Sequence, residues 1–248
     1  MGTSPIISFR QLLSEVPRGT PLGISDLQVR GLNAKQAARY AQDGWLKRLG
    51  HGVYALPGDQ LDRDASLAWL TRVIPGLHVA GKTALAWRGL RHNLAFQPRL
   101  NLWGNQPAKL PAWFTATFPA TYQTTHLFDD TMPPTLGLAP LPAGREDVLV
   151  STSERALLEL LSDVGKGQGL EEARHLVESA RTLRLPVLEE LLGHLQRIKV
   201  ARLAHALAEE LELPWRSLAQ QHSARLGGGL RWVTTTPSGE RLDLKRPA

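Results

Sequence analysis

Apolar residues recur along this chain first at helical spacing, then in short extended runs, then at helical spacing again. Phe9, Leu12, Leu13 and Val16 fall at i, i+3, i+4 and i+7, one stripe of a short helix that Pro17, Gly19 and Pro21 break. Ser25-Asp26-Leu27-Gln28 has the S-x-x-Q spacing of a capping box, which predicts a second short helix starting there. Gly31 supplies a turn, Asn33 an N-cap for a third helix, and Gly44 its end. Trp45-Leu46-Lys47-Arg48-Leu49, Gly50-His51-Gly52 and Val53-Tyr54-Ala55-Leu56 then read as strand, turn, strand, the glycines allowing the positive φ of a tight hairpin. Helices followed directly by a short hairpin are the layout of a winged helix-turn-helix. Pro57-Gly58-Asp59 ends the wing, so a domain boundary is placed after residue 58.

Beyond it, Leu67, Leu70, Val73 and Ile74 suit a helix stopped by Pro75-Gly76, and Leu77 to Ala80 a short strand before a helix over 82–90. The stretches 100–103, 115–122, 136–141 and 148–150 read as extended. Pro107, Pro111, Pro133, Pro134, Pro140 and Pro142 keep them short or at sheet edges. From Ser151 the character turns helical. Ser151-x-x-Glu154 repeats the capping-box spacing ahead of Ala156-Leu157-Leu158 and Leu160-Leu161. Further helices are predicted over 170–182, through Val187, Leu188, Leu191, Leu192 and Leu195, and through Ala201, Ala204, Leu207, Ala208 and Leu211. A terminal hairpin over 225–244, turning at Gly227-Gly228-Gly229, closes the pattern. Strands first and helices after predict an α+β class. The expected architecture is an N-terminal winged helix-turn-helix over 1–58 and a larger mixed α+β domain over 59–248 with a helix-rich C-terminal part.

Composition narrows the chemistry. With 42% hydrophobic and 21% charged residues, the 248-residue chain can bury a core. It has no cysteine, which removes disulfides, Cys-ligated zinc, iron–sulfur clusters and thiol nucleophiles. No run approaches about 18 uncharged apolar residues, and residues 1–9 lack a signal-peptide pattern, so a cytoplasmic protein with no membrane partner is expected. The net charge is +6, and it is unevenly spread. Residues 1–58 hold seven basic side chains (Arg10, Arg18, Arg30, Lys35, Arg39, Lys47 and Arg48) against Glu15, Asp26 and Asp43. The remainder holds 22 basic and 20 acidic residues. A basic segment of this kind is the electrostatic footprint of a polyanion binder.

Plotted at about 100° per residue, Lys35, Gln36, Arg39, Gln42 and Asp43 of the third helix share an arc of about 120°, while Ala34, Ala37, Ala38 and Ala41 take the opposite side. Small alanines permit close packing on the other helices, and long donors are left outside. Arginine, lysine and glutamine are the side chains that read purine edges or grip phosphate. A solvated helix face would look the same, but the basic hairpin that follows favours DNA. Asn33, Lys35, Gln36, Arg39 and Gln42 on the helix and Lys47, Arg48 and His51 on the wing are the candidate DNA-binding residues. Trp45 and Tyr54 are expected to be core anchors rather than base stackers.

The stretch from Gly23-Ile24-Ser25 through Gly44-Trp45-Leu46-Lys47-Arg48-Leu49-Gly50-His51-Gly52-Val53-Tyr54 resembles the N-terminal winged helix of AbiEi-type antitoxins, in which G-x-L-x-R-L-G-x-G-V-Y recurs. Ala80-Gly81-Lys82-Thr83-Ala84-Leu85 through Gly89-Leu90 is similar to their SG-x-[ST]-A-L-x-x-x-G-L segment, and Ser151 to Leu160 to their S-x-x-E-R-A-L-L-D-L-L helix. The resemblance implies a type IV toxin–antitoxin role in phage defence. The winged helix would bind inverted repeats in the protein's own promoter and repress the operon, an arrangement open to a dimer on double-stranded DNA. The second domain would antagonise a nucleotidyltransferase-like toxin, with no stable complex required. A regulator of the same build without a cognate toxin stays open.

Other motifs weigh less. Gly76-Leu77-His78-Val79-Ala80-Gly81-Lys82-Thr83 satisfies the phosphate-loop pattern G-x-x-x-x-G-K-[ST], and a nucleotide-binding, DNA-processing enzyme built on it is the alternative function. Yet Pro75 precedes it, Leu77 to Val79 read as strand, and the later acidic strand end at Leu127-Phe128-Asp129-Asp130 is short. The eight histidines show no H-E-x-x-H spacing, and His194 and His205 fit structural roles. The pairs Asp129-Asp130, Glu171-Glu172, Glu189-Glu190 and Glu209-Glu210 fit solvated faces or helix ends. No nucleophile elbow is present. Glu154 is expected to cap its helix and Arg155 to pair internally. No catalytic residue, cofactor or metal ligand is assigned.

Overall fold

A short strand, two capped helices and a hairpin form the heart of the first unit. The computed structural model describes residues 14–90, 99–141, 144–226, 231–235, 239 and 241–245. Among these, the residues up to Pro75 together with Ala108–Ala120 make one compact unit, and Gly76–Pro107 with the residues from Thr121 onward make another. In the first, β1 (Leu22–Gly23) leads into α1 (Ile24–Val29) and α2 (Ala34–Gln42), then β2 (Lys47–Gly50) and β3 (Val53–Ala55). β3 lies between β1 and β2 and is antiparallel to both. Of the stripe expected for the first helix, Phe9, Leu12 and Leu13 lie outside the described residues. Ser14 and Glu15 are helical and Val16 is buried.

Both helices stop by the same device. Gly31 and Gly44, each at φ +80°, follow the caps of α1 and α2. The Leu32 N–H donates to the Leu27 carbonyl at 2.9 Å and the Trp45 N–H to the Tyr40 carbonyl at 2.8 Å, the Schellman pairing that only a left-handed residue permits cheaply. The start of α1 differs from expectation. Its N-cap is Gly23, not Ser25, because β1 delivers the chain there already extended. The Asp26 carboxylate, three residues on, accepts the Gly23 N–H at 2.8 Å. The core beneath is Val16, Leu22, Leu27, Leu32, Ala37, Leu46, Tyr54 and Leu56, with Ile24, Tyr40 and Ala41 packed against it. Ala34, expected on the packed side of α2, is exposed at the first turn.

This unit continues past the wing. Helix α3 (Arg63–Val73) is capped by Asp62, whose carboxylate accepts the Ala65 N–H at 2.7 Å. Arg72 of α3 reaches back to Asp26 at 2.6 Å, and Trp69 meets Trp113 edge-to-face with ring centroids 5.5 Å apart. Trp113 belongs to α4 (Ala112–Thr117), where an extended segment was expected over 115–122. The β-branched threonines suggest a strand, but the Phe114–Phe118 pair, one turn apart and 5.4 Å between centroids, favours the helix. Extended backbone begins only at β6 (Ala120–Gln123).

The second unit carries a five-stranded sheet in the order β6-β5-β4-β8-β7, with β4 (His78–Val79), β5 (Leu100–Trp103), β7 (Leu138–Ala139) and β8 (Val150–Ser151). β4 is antiparallel to β5 but parallel to β8, and β7 is antiparallel to β8. Helices follow: α5 (Gly81–Trp87), α6 (Ser153–Asp163), α7 (Leu170–Glu178), α8 (Leu185–His194), α9 (Ile198–Glu210) and α10 (Arg216–Arg225). α6 is the central one, with Ala156, Leu157, Leu158, Leu160 and Leu161 all buried. α10 has no counterpart in the periodicity because its sequence is polar and buries only Ala219 and Ser223. The terminal hairpin pairs β9 (Arg231–Thr235) antiparallel with β10 (Arg241–Lys245); Arg225 ends a helix instead of opening the hairpin, and Gly227-Gly228-Gly229 lie outside the described residues. No described helix is long and apolar enough to cross a membrane.

Candidate nucleic-acid interface

The α2 helix places its cations by a cap at each end. Asn33 accepts the Gln36 N–H through its side chain at 2.9 Å, and Gln36 accepts the Asn33 N–H at 2.9 Å, a reciprocal capping box. Both side-chain oxygens are thereby occupied, which leaves only the amide NH2 groups of Asn33 and Gln36 to donate to a ligand. Ala37 faces the core and Tyr40 and Ala41 pack beside it, so Lys35, Arg39 and Gln42 are exposed. Arg39 stands 3.6 Å from Asp43 with both side chains largely in solvent. An exposed pair of this kind contributes under about 1 kcal/mol and yields readily to a phosphate.

The wing follows without a linker. Lys47 pairs in register with Ala55 and Arg48 with Tyr54; the ladder then slips at Leu49, so that Gly50 faces Val53. Gly52, at φ +67°, makes the turn. Arg48 Nε donates to the Gly50 carbonyl at 3.4 Å, folding the guanidinium along the wing. A side chain at Gly50 would sit 3.4 Å from the Trp113 ring, so α4 backs this strand. The side chains of Lys35, Lys47 and His51 are exposed and make no hydrogen bond or ion pair with any described residue. All eight candidate residues therefore sit on two consecutive elements over one core, none of them buried.

One expectation reverses. Tyr54 is a core residue at 4% exposure, but Trp45 is 54% exposed. Trp45 occupies the second position after the α2 cap, where an apolar residue usually folds back on the helix. That habit makes the inward reading natural, and no signal in the sequence contradicts it. An exposed indole between a basic helix and a basic strand enlarges the candidate surface.

The phosphate-loop pattern is accounted for by internal contacts. Its glycine Gly81 begins α5, and the Gly81 N–H donates to the buried Glu159 carboxylate at 3.0 Å. Lys82 pairs with Glu172 at 2.9 Å, and the Thr83 hydroxyl accepts the Asn101 N–H at 2.9 Å. A protein carboxylate thus stands where a phosphate would be held. Glu159 also accepts His78 Nε2 at 3.1 Å, Ser151 Oγ at 2.8 Å and Arg155 Nε at 2.9 Å. Serine, histidine and glutamate resemble a hydrolase set, but Ser151 donates to the carboxylate rather than to the imidazole. All three are buried, so no substrate reaches them. Arg155 pairs internally as expected. Glu154, expected to cap its helix, accepts Arg184 Nη2 at 2.8 Å and the Arg184 N–H at 2.9 Å, because the approach to α8 brings that guanidinium alongside, and Thr152 and its own N–H hold it at the start of α6. His194 lies 3.0 Å from Asp129. Among the described residues no group of three or more His, Asp or Glu could hold a metal ion.

A winged helix with an exposed basic helix and wing, carried on the same chain as a larger α+β unit, defines a regulator of the winged-helix class. Residues 7–96 match the family described as "Transcriptional regulator, AbiEi antitoxin N-terminal domain", and residues 97–243 the one described as "Transcriptional regulator, AbiEi antitoxin, Type IV TA system". The chain belongs to this AbiEi antitoxin family. Its fold is similar to that in "Crystal structure of RV2827C protein from Mycobacterium tuberculosis", with a TM-score of 0.59 over 92% of this chain and 87% of that one at 17% identity. No curated protein sequence matches.

Proposed function

We propose that this protein represses its own operon by binding inverted repeats in the promoter, and that it is the antitoxin to a nucleotidyltransferase-like toxin. The observation that carries the reading is a winged helix with uncompensated cations in a chain matched from end to end by an antitoxin regulator family. In this reading Lys35, Arg39 and Gln42 face base edges or phosphates, and Asn33 and Gln36 donate through their amide NH2 groups. Lys47, Arg48 and His51 grip the backbone from the wing.

Binding should be driven by released counterions. Four formal cations on phosphates give a slope of about −3.6 in log affinity against log salt, so affinity falls on the order of 100-fold between about 50 and 200 mM salt. A gel shift with the promoter repeat tests the assignment: Arg39→Ala combined with Arg48→Ala abolishes the shift, and unchanged binding overturns it. Antitoxicity is tested separately by co-expressing the full chain with the nucleotidyltransferase encoded beside it. Restored growth supports that half of the reading, whereas continued arrest refutes it and leaves a regulator without a toxin.

A further inference from the structure

A second basic site lies in the larger unit, on residues that the proposed DNA contacts do not include. A cavity of about 520 Å³ opens between the end of α6 and the start of α9, lined by Ser162, Val164, Lys166, Arg197, Ile198 and Lys199 among others. Its size falls within the range of small-ligand sites, roughly 300–1,000 Å³. Lys199 Nζ donates to the Ser162 carbonyl at 2.9 Å and the Val164 carbonyl at 2.7 Å, which leaves one N–H of the ammonium. Arg197 Nε donates to the His126 carbonyl at 3.0 Å, which leaves the terminal NH2 groups of the guanidinium. The Lys166 side chain is exposed and makes no hydrogen bond or ion pair within 4 Å with a described residue, although the Asp163 carboxylate acts on its charge.

These three cations are close enough to act on one another. Burial, then the positive charge of Lys166, holds the Lys199 ammonium down to about 8; Asp163 works against this and Arg197 adds to it. The loop that carries Lys166 is built rather than loose. The Asp163 carbonyl takes the N–H groups of Lys166 at 2.9 Å and of Gly167 and Gln168 at 3.3 Å, and the Gly165 N–H returns to the Gln168 carbonyl at 3.0 Å. The Asp163 carboxylate is held by Gln123 Nε2 at 2.8 Å. Closing the end of α6 requires only Lys199. Crowding Lys166 and Arg197 beside it costs free energy that a multiply charged anion would recover.

We propose that this cavity binds a small phosphorylated ligand bearing at least two negative charges, gripped by Lys166, Arg197 and Lys199 and flanked by the apolar walls of Val164, Ile198 and Val200. Phosphate oxygens satisfy the N–H groups that these side chains leave over, as charge-assisted bonds. The site is independent of promoter binding and survives if that reading fails.

Isothermal titration of the full-length protein with inorganic pyrophosphate tests it, with orthophosphate and ATP as further arms. Pyrophosphate binds saturably at one site per chain and more tightly than orthophosphate; Lys166→Ala weakens it roughly tenfold or more, and Lys166→Glu abolishes it. Since the Lys166 side chain is exposed and outside every hydrogen bond of the loop, its variants fold, which a melting curve verifies. The proposal is overturned by absence of saturable binding. Affinity that ignores Lys166→Ala but falls with Lys82→Ala also overturns it, since the ligand would then sit in the Gly76–Thr83 loop. Displacement of pyrophosphate by duplex DNA in proportion to the Lys166 variants would make the cavity part of a nucleic-acid surface instead, and equally overturn it.

Discussion

Replacing Glu159 by glutamine removes one charge and keeps the shape of the side chain, and the consequence can be worked from its four hydrogen bonds. Oε1 accepts from His78 and Arg155, and Oε2 from Gly81 and Ser151. Those donors come from β4, α6, α5 and β8, so one carboxylate fastens the sheet to two helices. A glutamine offers a single acceptor oxygen. Turned so that its NH2 meets Gly81 and Ser151, it orphans the Gly81 N–H while the hydroxyl rotates to accept; turned the other way, its NH2 opposes the N–H donors of Arg155 and His78.

The size of the loss follows from two routes. Burial raises the Glu159 carboxyl, but the bonds and charges of His78 and Arg155, with the Gly81 N–H, outweigh it and bring the group from 4.5 to about 2. That shift corresponds to about 3 kcal/mol. Removing one member of a buried pair elsewhere costs about 3–5 kcal/mol. Glu159→Gln is therefore expected to destabilise the protein by about 3–5 kcal/mol, a fall in melting temperature of about 10 °C for a unit of this size. The sign of the pH dependence is fixed as well. A depressed carboxyl contributes its stability above 4.5 and loses it as pH falls toward 2, so wild type weakens across that window and the variant has a flatter curve. Urea unfolding at pH 7 and between pH 5 and pH 2 measures both. A loss below about 1 kcal/mol, or equal slopes for the two proteins, would refute the reasoning. Promoter affinity at pH 7 should not change, since no element of the winged helix touches this carboxylate.

Trp45→Ala is expected to weaken promoter binding several-fold while shifting stability by under about 1 kcal/mol, because the indole is more than half exposed. Equal affinity in fluorescence anisotropy, or a large drop in melting temperature, would return Trp45 to the core. Gly137→Ala places a Cβ 2.8 Å from that of Arg155 at a φ of +68°, so it should cost about 1–3 kcal/mol, whereas Gly167→Ala, with nothing within 4 Å and no positive φ, should be close to neutral. Thermal melts of the two variants side by side distinguish strain from a general intolerance of glycine loss.

What the sequence shows plainly is what is local. Asn33, Gly44, Gly52 and the alanines of α2 determine cap, stop, turn and packed face within a few residues, so the winged helix and its exposed cations can be read without a structure. Trp45 escaped because exposure of one indole depends on what the rest of the chain leaves uncovered. The same limit hid the role of Gly76–Thr83. The pattern is present in the string, but its meaning rests on Glu159, which lies 78 residues beyond Gly81 and fills the place of a phosphate. The parallel pairing of Val79 with Val150 is likewise a contact between distant segments that no periodicity announces. The polar α10 lacked an apolar stripe altogether.

Where the acids are spent explains where the charge acts. In the first unit Asp26 is taken by the Gly23 N–H and Arg72, and Asp59 by Arg18 and the Gly19 N–H, so these carboxylates serve the scaffold. Asp43 alone lies on the α2 face, against Arg39, and Lys35 and Lys47 face no counter-charge. In the second unit the pattern is reversed, with Lys82 on Glu172, Arg155 on Glu159, Arg174 on Glu210 and Arg184 on Glu154. At the cavity the Ser162, Val164 and His126 carbonyls orient Lys199 and Arg197, and the Asp163 carboxylate offsets part of the charge of Lys166 and Lys199. A carbonyl orients a cation without cancelling it. Arg88 and Arg225 of the second unit are held by carbonyls in the same way, but inside the scaffold. The helix and wing leave their cations on an open surface suited to a long polyanion, and the cavity groups its cations around a concave space suited to a short one.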